Sequence, residues 1–230
     1  YIVYTWGGLP LSLFVRTILA LSAFWLTAFR ARLRSDSWRL ATLALAFAGT
    51  MSLNNVVLRP QIWSWLPFVI YLLVLDGCAP GKLRKRWLLG LPLLMVFWVN
   101  AHGAFVLGLV LLGIFGVGEL LSKCLKQGST RSWSDLAQLV SVGVVTGLAT
   151  LINPKGIGLI QYVVGLMTDP PSQGLVIEWQ SPTPSGIANT VFYVSIVVLL
   201  LVLAYTRFRP TPTDVLLLSG FLWLAWNGQR

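Results

Sequence analysis

The sequence predicts an all-α membrane protein: a polytopic integral membrane helix bundle of about eight transmembrane helices. Three observations lead there. Apolar residues make up 56% of the chain and charged residues 10%, with a mean hydropathy of +0.77. Soluble proteins run at roughly 45–50% and 25%, so this few charges cannot coat a globule. The apolar residues are gathered into long runs, such as 87–99 and 191–204. The basic residues recur at the breaks between alternate runs, as they do in a chain that crosses a bilayer repeatedly.

A bilayer core of about 30 Å needs about 20 apolar residues in a helix. The stretches that approach this length are 9–29, 40–57, 61–76, 84–99, 103–122, 136–153, 190–206 and 212–227, which make 1–230 a single transmembrane domain. The first runs into the basic cluster Arg30, Arg32, Arg34. Pro60 closes the second sharply and the third follows it. The fourth and fifth need an argument, because 87–121 is almost continuously apolar. As one helix it would measure about 52 Å, too long for the membrane. Asn100-Ala101-His102-Gly103 interrupts it with polar groups and a permissive glycine, so a tight hairpin turn is expected. Ala104-x-x-x-Gly108 and, in the sixth span, Gly143-x-x-x-Gly147 suit close helix packing. The eighth opens on Thr211-Pro212-Thr213-Asp214: a Thr cap, Pro in the first turn, and Asp beside the positive end of the helix dipole. The long loop 154–189 contains an apolar piece, 157–167, suited to the membrane surface.

Charge tests this division. Alternating spans put Arg30, Arg32, Arg34, Arg39, Lys82, Arg84, Lys85, Arg86, Lys123, Lys126, Arg131, Arg207 and Arg209 on one side. The other side receives only Arg59, Lys155 and Arg230. Such asymmetry makes the basic loops cytoplasmic and both chain ends extracytoplasmic. It also gives the net charge of +10 a role in orientation, with no nucleic-acid partner required. Reading 84–122 as one span would reverse the parity of every later loop. Trp6, Trp38, Trp63, Trp65, Trp87, Trp98, Trp133, Trp179 and Trp226 fall near span ends, where indoles anchor at headgroup level. Arg16 lies within the first span and needs a partner, a polar cavity or a path to the interface.

Several chemistries are excluded. The basic loops carry no P-loop, dinucleotide fingerprint or His-Glu-x-x-His motif. One histidine and two distant cysteines, Cys78 and Cys124, make neither a transition-metal site nor a disulfide framework. The outer face is richer. It holds Asn54, Asn55, Arg59 and Gln61; Asn100 and His102; Asn153 and Lys155; and Asp169, Glu178 and Gln180. Arg59 and Lys155 can meet a phosphate at headgroup depth, the first as a planar fork and the second as a point charge. Each residue also has a plainer role. The cations can touch lipid headgroups, His102 can brace its turn, and Glu178 can be a solvated carboxylate.

In this order, Tyr4-Thr5-Trp6-Gly7-Gly8, Leu58-Arg59-Pro60-Gln61, Trp98-Val99-Asn100-Ala101-His102-Gly103, Leu151-Ile152-Asn153-Pro154-Lys155-Gly156 and Glu178-Trp179-Gln180 resemble a group of bacterial membrane proteins. These belong to the GT-C glycosyltransferase superfamily and are related to the dolichyl-phosphate-mannose-protein mannosyltransferases. The resemblance implies a GT-C-like fold in the bacterial cytoplasmic (inner) membrane. It also implies sugar transfer from a polyprenyl-phosphate donor at the extracytoplasmic face. It makes Arg59, Asn100, His102, Lys155, Glu178 and Trp179 substrate-binding residues: the cations on phosphate, Asn100 and His102 on hydroxyls, Glu178 and Trp179 on the acceptor side. The superfamily's catalytic acidic residue belongs to a first extracytoplasmic loop, expected before Tyr1 in a longer polypeptide. No residue shown inherits that role, and a divalent metal would enter only with acidic ligands from that loop. Expected partners are membrane lipids, a polyprenyl-phosphate-linked sugar and other membrane subunits. A non-catalytic transmembrane subunit on a transferase-like scaffold is the competing reading. A transporter is third, since the spans hold few ionisable groups and no inverted repeat of broken helices.

Overall fold

The computed structural model describes residues 2–56, 59–79, 81–126, 131–169, 181–207 and 209–227. Among them, all regular structure is helical: α1 (Ile2–Ser35), α2 (Trp38–Met51), α3 (Ile62–Cys78), α4 (Leu91–Ala101), α5 (Val106–Cys124), α6 (Trp133–Ala149), α7 (Ile157–Thr168), α8 (Gly186–Tyr205) and α9 (Pro212–Trp226). Short 3-10 turns occupy Leu53–Asn55, Lys85–Gly90 and Gly103–Phe105. A helix coincides with each expected span, but length separates them. Val3–Ser35, Gly103–Cys124 and Gly186–Tyr205 are long and apolar enough to cross a membrane. The others, α2, α3, α4, α6 and α9, hold 14, 17, 11, 17 and 15 residues. At 1.5 Å per residue even the longest of these reaches only about 25 Å. The expectation of eight full spans is thus corrected to three helices of spanning length among the described residues.

The shortened ends have local causes. α2 stops at Met51 because Ser52 turns the chain: its hydroxyl donates to the Ala48 carbonyl at 2.7 Å. α4 starts at Leu91 because Pro92 belongs in a first turn, where its missing N–H leaves no bond unmade. α6 starts early, at Trp133, where Ser132 and Asp135 form a capping box. The expected Thr211–Asp214 cap is present at α9. The apolar piece in the long loop is the helix α7.

Contacts gather the chain into two units, Tyr1–Gly108 and Leu109–Arg230. In the first, α1 packs against α2 and α3, and α3 against α4. Gly7 and Gly8 break α1 before Pro10, with Gly8 at φ 59, a left-handed conformation that favours glycine. Ala20, Ala23 and Ala28 bury the small face of α1. Tyr71, Leu75, Leu91, Met95 and Trp98 fill the α3–α4 seam, where the Tyr71 hydroxyl donates to the Leu91 carbonyl at 2.7 Å.

The two ends of this unit differ in chemistry. At one, Asp76 of α3 pairs with Arg30 at 3.0 Å and Arg34 at 3.1 Å, and Arg32 pairs with Asp36 at 2.9 Å. The Lys82 ammonium caps the Leu33 carbonyl. Arg30 and Arg34 are therefore partly spent on the contact between α1 and α3. Phe24 meets Trp65 nearer the start of α3, so α1 and α3 run in the same direction. The opposite end collects the start of α3 and the finish of α4. Ser64 and Asp76 are separated by about 18 Å of helix.

In the second unit, Glu119 accepts the buried Arg131 backbone N–H at 3.1 Å, closing the passage from α5 to α6. Gly118 lies so close to Thr213 that an added Cβ would fall 2.7 Å from its Cα. Tyr193 of α8 meets Trp226 of α9 edge to face at 6.0 Å. Of the small-residue pairs, Gly108 does permit close packing, against Met95 and Trp98 in the first unit. Gly143 and Gly147 face open space instead, and Gly143 lines an apolar groove of about 510 Å³ between α5 and α6.

Candidate functional site

His102 is the centre of the best-built polar cluster. α4 ends at Ala101, and His102 is extended, at φ −162 and ψ 144, before the 3-10 turn Gly103–Phe105. The expected break therefore exists, and Gly108 returns against Trp98. Nδ1 of His102 accepts the Ala104 backbone N–H at 3.2 Å. The Ser64 hydroxyl lies 2.9 Å from the same nitrogen. Ser64 in turn accepts the Trp98 indole N–H at 2.9 Å. Both Ser64 and Trp98 are buried, and Trp98 stacks obliquely on Tyr71 at 5.6 Å. Burial holds the half-buried imidazole below its ordinary value of 6.5, favouring the neutral ring.

This corrects one expectation. Trp98 is no headgroup anchor; it is fully enclosed and donates a hydrogen bond within the α3–α4 seam. Trp6, Trp38, Trp87, Trp133 and Trp226 are exposed, as interfacial indoles require.

The other expected site residues divide. Arg59 is exposed in the turn before α3, and its carbonyl accepts the Ile62 N–H at 3.2 Å. Ser64 stands five residues on and binds His102, so Arg59 and His102 share one end of the first unit. Asn100 is at that end too, but its amide donates to Val96 at 2.8 Å, along its own helix. Lys155 belongs to the second unit. There Asn153 builds the turn, accepting the Lys155 N–H at 2.8 Å and donating to Thr150 and Gly156. The exposed Lys155 ammonium sits 5.3 Å from the centre of the Tyr162 ring. Glu178 and Trp179 lie outside the described residues, as does Gln180. Nε of Arg16 is buried with no hydrogen-bond partner among the described residues.

Ser64 is the residue that sequence reasoning passed over. A hydroxyl in the first turn of an otherwise apolar helix must find a partner once buried, and that was its available signal. Among the described residues, no three His, Cys, Asp or Glu side chains gather as a metal site. No family model matches the chain, and neither does any curated protein or solved structure.

Proposed function

We propose that the chain is the membrane portion of a glycosyltransferase that moves a sugar from a polyprenyl-phosphate donor at the extracytoplasmic face of a bacterial cytoplasmic membrane. The ordered motifs resembling the GT-C superfamily supply the reaction class. The observation that carries the reading is the Ser64–His102 bond, which holds the start of α3 against the finish of α4. Arg59, a permanent cation, and His102, a neutral imidazole, are thereby gathered at the end opposite the Asp76 ion pairs. That polarity agrees with basic loops in the cytoplasm and a donor site outside. Arg59 binds the lipid phosphate and stabilises it as a leaving group, and Lys155, on the second unit, meets phosphate at headgroup depth as a separate point charge. The catalytic acid is assigned to no residue shown. Lipid partners and further membrane subunits belong to the same proposal, and a divalent metal enters it only with acidic ligands from outside the residues shown.

The test is sugar transfer from a polyprenyl-phosphate donor by the purified natural protein. Charge-assisted hydrogen bonds are worth about 1.5–3 kcal/mol, so Arg59→Ala and Lys155→Ala are each expected to lower turnover about tenfold to hundredfold. Unchanged turnover in either variant would remove that cation from phosphate binding. A natural protein that binds partner subunits yet transfers no sugar would favour the non-catalytic scaffold.

A further inference from the structure

The bonding around His102 fixes where its proton resides. A backbone amide can only donate, so the Ala104 N–H makes Nδ1 an acceptor, bare of hydrogen. The Ser64 hydroxyl shares that nitrogen and must therefore give its own hydrogen to it. An indole N–H also only donates, so Trp98 fills an acceptor position on Ser64 and leaves the serine hydrogen free for His102. Every role in the chain Trp98 to Ser64 to His102 is thus determined. A neutral imidazole with a bare Nδ1 carries its hydrogen on Nε2. Among the described residues, none hydrogen-bonds Nε2, and the ring is half-buried at the end of the unit that holds Arg59.

We propose that Ser64 and Trp98 are positioning residues that lock His102 as the Nε2–H tautomer, presenting a fixed neutral donor to a phosphate oxygen of a bound ligand. The choice of phosphate rests on the function proposed above; the lock itself does not. A neutral donor suits such an oxygen because it stabilises growing negative charge without releasing a proton. The same geometry leaves Nδ1 no free lone pair for a ligand's proton, because that lone pair already faces the Ser64 hydroxyl and the Ala104 N–H.

The chain has a single histidine, so ring ¹⁵N labelling yields two nitrogen signals that assign themselves. In the purified protein at neutral pH, Nδ1 is expected to give an unprotonated, pyridine-type shift and Nε2 a protonated, pyrrole-type shift. A protonated Nδ1, or two averaged shifts, overturns the lock, and this reading needs no variant. Ser64→Ala is expected to move both shifts toward the averaged values of free imidazole, with Ser64→Thr restoring the pattern; an unchanged pattern in Ser64→Ala removes Ser64 from the lock. A short-chain polyprenyl phosphate and inorganic phosphate are then titrated separately. A shift of Nε2–H with the lipid alone supports a lipid headgroup, and a shift with both supports phosphate in general. Silence with both overturns the donor role. Sugar transfer is not read here, so a failed transferase assay leaves these outcomes distinguishable.

Discussion

Arg30 and Asp76, 46 residues apart, meet at 3.0 Å between the C-terminal turns of α1 and α3. Asp76 is only 15% exposed and receives Arg34 as well, so one carboxylate serves two cations. Its removal leaves both arginines at a partly buried seam without their counter-charge. Partial solvent access keeps the loss below that of a fully buried pair, at about 1–3 kcal/mol. Asp76→Ala should lower the thermal midpoint of the purified protein, whereas Asp36→Asn, which removes a charge at 79% exposure and suits the left-handed backbone there (φ 52), should barely move it. Equal midpoints for the two variants would mean that Asp76 contributes no more than a surface pair.

The glycines sort by what surrounds them. At Gly118 an added Cβ would meet backbone, the Thr213 Cα at 2.7 Å, which cannot rotate away. At Gly143 it would meet nothing within 4 Å. Gly118→Ala is therefore expected to destabilise by about 1–3 kcal/mol through overpacking. Gly143→Ala should instead gain up to about 1 kcal/mol from helix propensity. Unfolding of the two variants in detergent checks the opposite signs, and a shared sign would mean that α5 and α9 do not approach as described.

Much of the helix order was legible because apolar periodicity and polar breaks survive in a single sequence. The Thr211–Asp214 cap and the interruption at His102 were readable for the same reason, since each rests on local chemistry. The ends of α2 and α4 were less legible. Ser52 and Pro92 act through hydrogen bonding and ring geometry, which hydropathy does not register. The site shows the sharper divide. His102 stood out as a lone histidine in a turn. Its partners Ser64 and Trp98 stand 38 and 4 residues away, and only tertiary packing brings all three together. Trp98 looked like an interfacial anchor because a span-end indole and a buried one are identical in sequence.

The cysteines offer a check on sidedness. Cys124 is exposed at the end of α5, beside a basic loop. Cys78 is buried, with its thiol against the Arg84 carbonyl at 3.5 Å. In sealed cells, Cys124 should react only with thiol reagents that reach the cytoplasm, while Cys78 should stay unmodified until the protein unfolds. Labelling of Cys124 by an impermeant external reagent would invert the proposed orientation.

Acid should loosen the His102 turn. Burial lowers the imidazole from its ordinary 6.5, so on acidification the unfolded chain takes up a proton before the folded one does. The stabilisation linked to this group is fully present above pH 6.5 and is lost as the pH falls toward the depressed folded value. The hydrogen-bond partners at Nδ1, the Ser64 hydroxyl and the Ala104 amide, carry no charge to offset the imidazolium. Protonation of Nδ1 would also turn an acceptor into a donor facing the Ala104 N–H. Thermal midpoints measured between pH 7.5 and 5.5, above the carboxylate range, should fall for the natural sequence and stay level for His102→Asn. Parallel curves for the two proteins would place the pH dependence elsewhere.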